Sequence, residues 1–363
     1  GMYMVLTADL RSRANRYLSR AADASRVSLA GLHAARIQLG GNPGWTGGNF
    51  RDPDAPSQGV TVTASSTGVL TSRATCVGVV GDATQGISAD LMAVPDPVLG
   101  FNLFSATTIE LDNVTSGGYV RANGDITATG DLDFSGTVET LSGSSVTLQI
   151  ESRQVHYVSE TLVPPAVSMA FYASRASPML GLPVDTETGA ILLENISLRP
   201  DSNPYGATNP KGAYLIDAPG QKLAIRNVYV EGLLVVRGAT HILIEQGFYL
   251  VRVDNGMASL VANAPIDLRL QNSLDESVSL IDFNGDGDLF DLFQPSIEGV
   301  VYSSSSFTGP QGGLIKGAVV ANQIHLTGMP DLRDSSALAT QPVYEFTEPG
   351  PWDVVAGSIG RTP

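Results

Sequence analysis

A single cysteine, Cys76, leaves this 363-residue chain without an internal disulfide, so packing or a bound metal has to supply the stability of any exported form. Among alternating β-branched neighbours, Cys76 reads as a small apolar strand residue, not as a reactive thiol. No apolar run of roughly 18 residues occurs, so the chain as it stands holds no membrane-spanning helix. The four histidines, His33, His156, His241 and His325, are isolated and lack the paired spacing of a zinc site. Gly-x-Ser-x-Gly is missing, and so is a glycine-rich phosphate loop ending in Lys-Ser/Thr. Lysine is confined to Lys211, Lys222 and Lys316, and a formal charge of -15 argues against nucleic acid and against an anionic membrane face. The charge is unevenly spread. Arg11, Arg13, Arg16, Arg20, Arg26 and Arg36 face only Asp9 and Asp23 before Gly40, which leaves 15 basic and 34 acidic side chains on the rest. A basic helix and an acidic body are therefore chemically distinct parts.

What is present in abundance is short strands. Lys211 to Val253 carries runs rich in Val, Ile, Leu and Tyr at 214–216, 223–225, 228–230, 233–236, 242–244 and 248–251, separated by Gly, Asn or Asp and too short for helices. The stretch contains no Asn-Gly or Asp-Gly two-residue turn, and its connections are two to five residues long. A chain that keeps winding one way fits this better than one that folds back in hairpins. The expected fold is mainly β, a right-handed parallel β-helix with this stretch at its middle.

Upstream, residues 7–39 follow a helical period, with Leu6, Leu10, Ala14, Leu18, Ala21, Ser25, Leu29, Leu32 and Arg36 mostly three or four apart and a stop at Gly40-Gly41-Asn42-Pro43-Gly44. Runs at 59–63, 68–71, 74–80 and 86–92 read as a small antiparallel sheet, so the helix and sheet form an α+β module. Pro95-Asp96-Pro97 is the boundary, dividing the chain into residues 1–95 and 96–363. Beyond it, Gly124, Gly130 and Gly136 recur at six-residue intervals, each followed by an inward candidate, Ile126, Leu132 or Val138. Val163 to Arg175 reads as a proline-started helix and an excursion from the coils. Strands resume at 190–198 and close with runs at 299–302, 317–320 and 323–328, where Gly299 and Gly317 are one three-sided coil apart. The tail from Met329 is expected along the side or over the end of this domain.

The sharpest chemical motif is Asp282-Phe-Asn-Gly-Asp-Gly-Asp-Leu-Phe-Asp291. Asp282, Asn284 and Asp286 stand at positions 1, 3 and 5 of a calcium loop, Gly287 at its sharp turn, and Asp288 offers a carbonyl at position 7. Position 12 is Phe293, so Asp291 or Glu298 has to complete the oxygen shell. The expectation is a structural calcium ion, since carboxylates this close repel one another without a cation or solvent between them. An enzyme is the rival class, because β-helices include polysaccharide lyases and hydrolases. Asp125, Asp131 and Asp133 are its candidate acids, but Arg121 is the nearest basic residue and no catalytic set assembles. A cytoplasmic β-helical scaffold that polymerises end to end is a further alternative. Asn113-Val-Thr115 and Asn195-Ile-Ser197 match the glycosylation triplet, which chance also supplies.

The helix ending in Asn42-Pro43-Gly44-Trp45-Thr46-Gly47-Gly48, followed by Val60-Thr61-Val62-Thr63 and Gly68-Val69-Leu70-Thr71-Ser72-Arg73, resembles the membrane-proximal part of minor-pilin-like proteins of type IV pilus and related secretion systems. Tyr119 to Ile126, Asn209 to Asp217, Gly232 to Val236 and Gly299 to Tyr302 are similar to the β-helical domain that many of those proteins carry. The resemblance implies a non-catalytic structural or adhesive subunit of the cell envelope, periplasmic or extracellular. Its partners would be other envelope or pilus-assembly proteins and surface polysaccharide. Met2 to Leu6 behind Gly1 resembles the end of an apolar segment, so an upstream membrane anchor is expected.

Overall fold

The computed structural model describes residues 2–51, 55, 57–116, 118–130, 133–134, 136–147, 155–253, 256–309, 313–327, 331–333, 338, 342–347 and 350–362. The chain forms two compact units, one of residues 1–94 with 347–363 and one of residues 95–346. It is mainly β, with an N-terminal helix, an antiparallel sheet and a large parallel sheet.

In the first unit the helical period produces α1, Met2–Gly41. Ala24, Ser28, Leu32, Ala35 and Leu39, three or four residues apart, form its buried stripe over an antiparallel sheet of β1 (Gly47–Arg51), β2 (Gln58–Gly68), β3 (Thr71–Val80) and β4 (Ala83–Met92). Helix and sheet approach closely at Ser28, whose hydroxyl donates to the Gln85 carbonyl at 2.7 Å and accepts from the Gly78 N–H at 2.9 Å. A Cβ on Gly78 would fall on the α1 backbone, which is why a strand otherwise rich in β-branched residues carries a glycine there. The leading residues 11–20 of α1 are exposed on every side.

Two expectations differ from this unit. Residues 68–71 are not a strand of their own: Gly68 ends β2, Thr71 opens β3 opposite it, and Val69 and Leu70 turn between them, Leu70 with a left-handed backbone (φ 47°). The tail, expected beside the second domain, returns here: Asp353–Val354 and Gly360–Thr362 both pair antiparallel with β4. Arg36 explains the docking, because its backbone carbonyl accepts from the Trp352 N–H at 3.1 Å while its guanidinium donates to the Trp352 carbonyl at 2.6 Å and to Asp353 at 2.9 Å. An arginine on the apolar stripe thus has a partner that the helix alone does not reveal.

The second unit holds, in chain order, β5 (Leu103–Ser105), β6 (Ile109–Asp112), β7 (Thr115–Ser116), β8 (Val120–Ala122), β9 (Ile126–Thr129), β10 (Asp133–Phe134), β11 (Val138–Leu141), β12 (Val146–Thr147), β13 (Val155–Val158), α2 (Met169–Ala173) and β14 (Ser177–Pro178). There follow β15 (Ile191–Leu198), β16 (Ala213–Asp217), β17 (Lys222–Glu231), β18 (Leu233–Arg237), β19 (His241–Val251), β20 (Leu260–Ala262), β21 (Ile266–Leu270), β22 (Leu274–Asp275), α3 (Glu276–Ser279), β23 (Leu292–Phe293), β24 (Ser296–Gly309), β25 (Leu314–Thr327) and β26 (Asp331–Arg333). All pairings in the large sheet are parallel, and Gly299 and Gly317 are register partners.

The pairs run in three ladders. One passes through β14, β16, β18, β20, β24, β25, β5, β8, β11 and β13; a second through β15, β17, β19, β21, β24, β25, β6, β9 and β12. The third joins the far ends of β15, β17, β19, β24 and β25 to β26, β7 and β10. Spatial order therefore departs from chain order. The rung of β5–β7 stacks on β25 and β26, formed some 200 residues later, with Val319 opposite Leu103 and Ile324 opposite Ile109.

The first ladder is apolar on both faces. Tyr214, Leu234, Leu260, Val301, Val319, Leu103 and Val120 join one core, while Leu215, Val235, Val261, Val320 and Phe104 join another on the opposite side. Residues 162–176, Leu338 and residues 342–346 cover that second face, and the Tyr172 hydroxyl donates to the Tyr344 carbonyl at 2.5 Å. Continuous apolar runs such as Leu233-Leu234-Val235-Val236 follow from this two-sided burial.

Three sequence readings change in detail. The helix expected from Val163 is only α2: Ser168 caps it, accepting from the Phe171 N–H at 3.2 Å, and Pro164 and Pro165 lie before the cap. The runs at 223–225 and 228–230 are one strand bent at Asn227, and those at 242–244 and 248–251 are one strand bent at Gln246, both residues left-handed. Of the three inward candidates, Ile126 and Val138 are buried, and Leu132 lies outside the described residues.

Candidate functional site

The calcium-loop residues belong to an excursion between β21 and β24. β22 and β23 pair antiparallel, Leu274 with Phe293, and α3 with the acidic loop lies between them. The excursion is fixed to the ladders by apolar contact, with Phe283 fully buried and Phe293 packed on the stacked rings of Tyr229 and Tyr249 at 5.3 and 5.2 Å. The Ser197 hydroxyl donates to the Phe283 carbonyl at 2.5 Å.

Within the loop each acceptor side chain turns the backbone around itself. Asp282 accepts from the N–H groups of Gly285 and Gly287 at 2.5 and 3.0 Å, Asn284 from Asp286 at 3.0 Å, Asp286 from Asp288 at 3.0 Å, and Asp288 from Phe290 at 2.9 Å. Gly285 and Gly287 supply the positive φ of the turns. The Asn284 amide donates to Asp286 at 2.9 Å and to Asp291 at 2.6 Å, tying the two ends together. The protonation energetics follow. Asp286 is held below the usual carboxylate value, first by the Asp288 N–H and then by the Asn284 amide. Asp291 is pushed above it by desolvation and then by the charges of Asp286 and Asp288.

Among the described residues three carboxylates come together, Glu276, Asp288 and Asp291, each with an oxygen within 4.8 Å of the others. Glu276 did not figure in the sequence reading. It is fully buried, and its carboxylate accepts from Phe283, Asn284 and Asp291 N–H groups at 2.6, 3.4 and 3.3 Å. The sequence signal for it is Asp275, which caps α3 and delivers Glu276 into the first turn under the loop. Glu298, considered as an outer ligand, instead meets Lys316 at 2.6 Å on the neighbouring strand.

The candidate acids of the enzyme alternative do not converge among the described residues. Asp125 accepts from the Ser145 N–H at 2.7 Å, Asp131 lies outside the described residues, and Asp133 stands on β10 opposite Thr115. Arg121 is committed elsewhere: it is buried, pairs with Glu139 at 2.7 Å and donates to the Glu160 carbonyl at 2.5 Å. His241 and His325 lie 4.0 and 3.8 Å from Asp267 and Glu110 and share no site.

No protein-family model and no curated protein matches the chain. Among solved structures, the competence-associated pilin ComZ from Thermus thermophilus is weakly similar, at 11% identity over 94% of this chain and 98% of that chain, with a TM-score of 0.34. Similarity at that level carries no residue assignment. In the described residues no helix is long and apolar enough to cross a membrane.

Proposed function

We propose that the chain is the displayed part of an exported, non-catalytic envelope protein, pilin-like in its first unit, and that its second unit is a right-handed parallel β-helix. The observation that carries the reading is α1. A helix of 40 residues is about 60 Å long, and among its described side chains those buried by the sheet of its own unit begin at Ala24. Arg11, Arg16, Tyr17 and Leu18 are exposed ahead of that stretch, and such a surface is available to follow an anchor or enter an assembly. Three parallel ladders, with β24 and β25 running through all three, support the β-helix, a form suited to display rather than to turnover. The partners would be other envelope or pilus-assembly proteins.

A calcium ion on Asp282, Asn284, Asp286, Asp288 and Asp291 belongs to the same proposal as a structural element, with Glu276 beneath them as a further carboxylate. The ion would neutralise the loop and lock the excursion to the ladders.

The location is tested on the full-length native protein in its own cells, by fractionation and by antibody labelling of intact cells. The expected result is recovery with the envelope and labelling without permeabilisation. Recovery from the cytosol would overturn the reading and favour the polymerising scaffold. Turnover of uronic-acid polymers by the purified protein would favour the enzyme.

A further inference from the structure

A cleft of about 620 Å³ runs beside the bends of β15, β17 and β19, with the 272–283 segment as its other wall. Its ladder side is a column of three amides, Asn195, Asn227 and Gln246, all left-handed at φ 51°, 50° and 63°. Asn227 is spent on the column itself: its amide nitrogen donates to Asn195 at 3.2 Å and Gln246 at 3.1 Å, and its oxygen accepts from the Gly247 N–H at 3.2 Å. The amide nitrogens of Asn195 and Gln246 are not spent in this way, and neither is the amide of Asn272 on the facing wall; among the described residues none of the three donates a hydrogen bond.

The rest of the lining narrows the ligand. Asp275 keeps one carboxylate oxygen free while the other accepts from Ser277 and Val278 N–H groups at 2.9 and 3.3 Å. No Lys, Arg or His lines the cleft, which disfavours phosphates and acidic polymers on a protein already charged -15. Val278 lines the wall while 80% exposed, an apolar surface with no partner in the fold. With rungs about 4.8 Å apart, the amide column is about 10 Å from end to end, close to the length of a disaccharide.

We infer that this cleft binds a neutral carbohydrate chain, with the free amides of Asn195, Gln246 and Asn272 donating to ring hydroxyls, Asp275 accepting from one, and the apolar face of a sugar ring resting on Val278. A hydroxyl both donates and accepts, which matches a lining of amides and one carboxylate; an anion offers only acceptors. The volume lies in the range of ligand sites. Binding of this kind stands or falls with the cleft, whatever the cellular location of the protein.

The test is calorimetric titration of the full chain with cellohexaose, maltohexaose and chitohexaose, and with oligogalacturonate as the acidic control. Saturable binding of at least one neutral hexasaccharide is expected, with none by oligogalacturonate. Asn272→Ala and Asn195→Asp are each expected to weaken it about tenfold, the loss of one good hydrogen bond. Asn272 is exposed and unpartnered, and aspartate tolerates the left-handed backbone of Asn195, so an unchanged melting temperature certifies both variants as folded. Failure of all three neutral sugars at millimolar concentration overturns the proposal. So does an affinity in both variants equal to that of the unmutated protein, or preference for the acidic oligomer.

Discussion

Asp291 is ionised in its loop against two forces, its own desolvation and the charges of Asp286 and Asp288. A carboxyl whose folded pKa is raised weakens the fold at pH above its unfolded value, and the loss is relieved as pH falls through the folded one. Asp291→Asn is therefore expected to hold or raise the melting temperature at pH 7 in chelator, and at the same time to reduce the response to calcium. In the unmutated protein calcium binds the folded loop and not the unfolded chain, so the melting temperature should rise, by about 2.7 kcal/mol of added stability at a hundredfold excess over Kd. Asp286→Ala should abolish that shift. Asp96→Ala should keep it, although losing the bond from the Val98 N–H lowers the baseline. Identical melting in chelator and in calcium would show that the loop is an acidic turn and no more. Cys76 makes a separate test of packing, since burial pushes its thiol up to about 11. Disulfide reagents at pH 8 should leave it unlabelled in the native protein and label it fully in denaturant; rapid native labelling would mean that the β3 side of the sheet opens readily.

At the scale of elements, Gly317 shows what a glycine in a ladder is for. Its φ of 146° is in the region only glycine occupies easily, and a Cβ there would fall on the Gly299 carbonyl of the rung below. Gly317→Ala should cost about 3 kcal/mol or more, read as a lower denaturation midpoint. Gly41→Ala, at the open end of α1 with nothing near its Cβ, should stay within about 0.5 kcal/mol. The same pair shows which elements were legible. Period and glycine spacing expose α1, the parallel ladders and the Gly299–Gly317 register, because each is written in local pattern. Long-range partners are not written there. The bends at Asn227 and Gln246 keep their strands continuous because the ladder on either side holds the backbone, so a polar residue that looked like a break is a corner. Glu276 was invisible for a related reason: an acid beside a helix cap becomes a buried anchor only once the loop seven residues later folds over it. The turns of the loop are a local property, because Asn284 and Asp286 each accept from the N–H two residues on, whereas the calcium read onto the same residues is what melting in chelator and in calcium tests.

For the whole molecule the chain path matters more than either unit's composition. The first unit is left after β4 and rejoined at residue 347, and the returning strand pairs Asp353 with Met92 of β4 itself. The second unit closes its own ends, because the Asp96 N–H donates to the Phe346 carbonyl at 3.0 Å. Its first rungs, β5 to β7, pair with its last, β25 and β26, so both ends of the segment are needed to complete one stack. Residues 95–346 thus have the form of an insertion into an antiparallel hairpin, and an insertion whose ends meet keeps its entropy cost in the host low whatever its length. Two consequences can be measured. Residues 95–346 expressed alone should give a strand-rich circular dichroism spectrum and a cooperative melt, whereas truncation at residue 313, which removes β25 and β26, should abolish both by separating the late rungs from the early ones. Residues 1–94 joined to 347–363 by a short glycine-rich turn should keep the helical spectrum of α1 and melt as a second, smaller transition. An unfolded 95–346 fragment would mean that the two units stabilise each other, and a truncation at 313 that still melts cooperatively would show that the seam between first and last rungs contributes little to the stack.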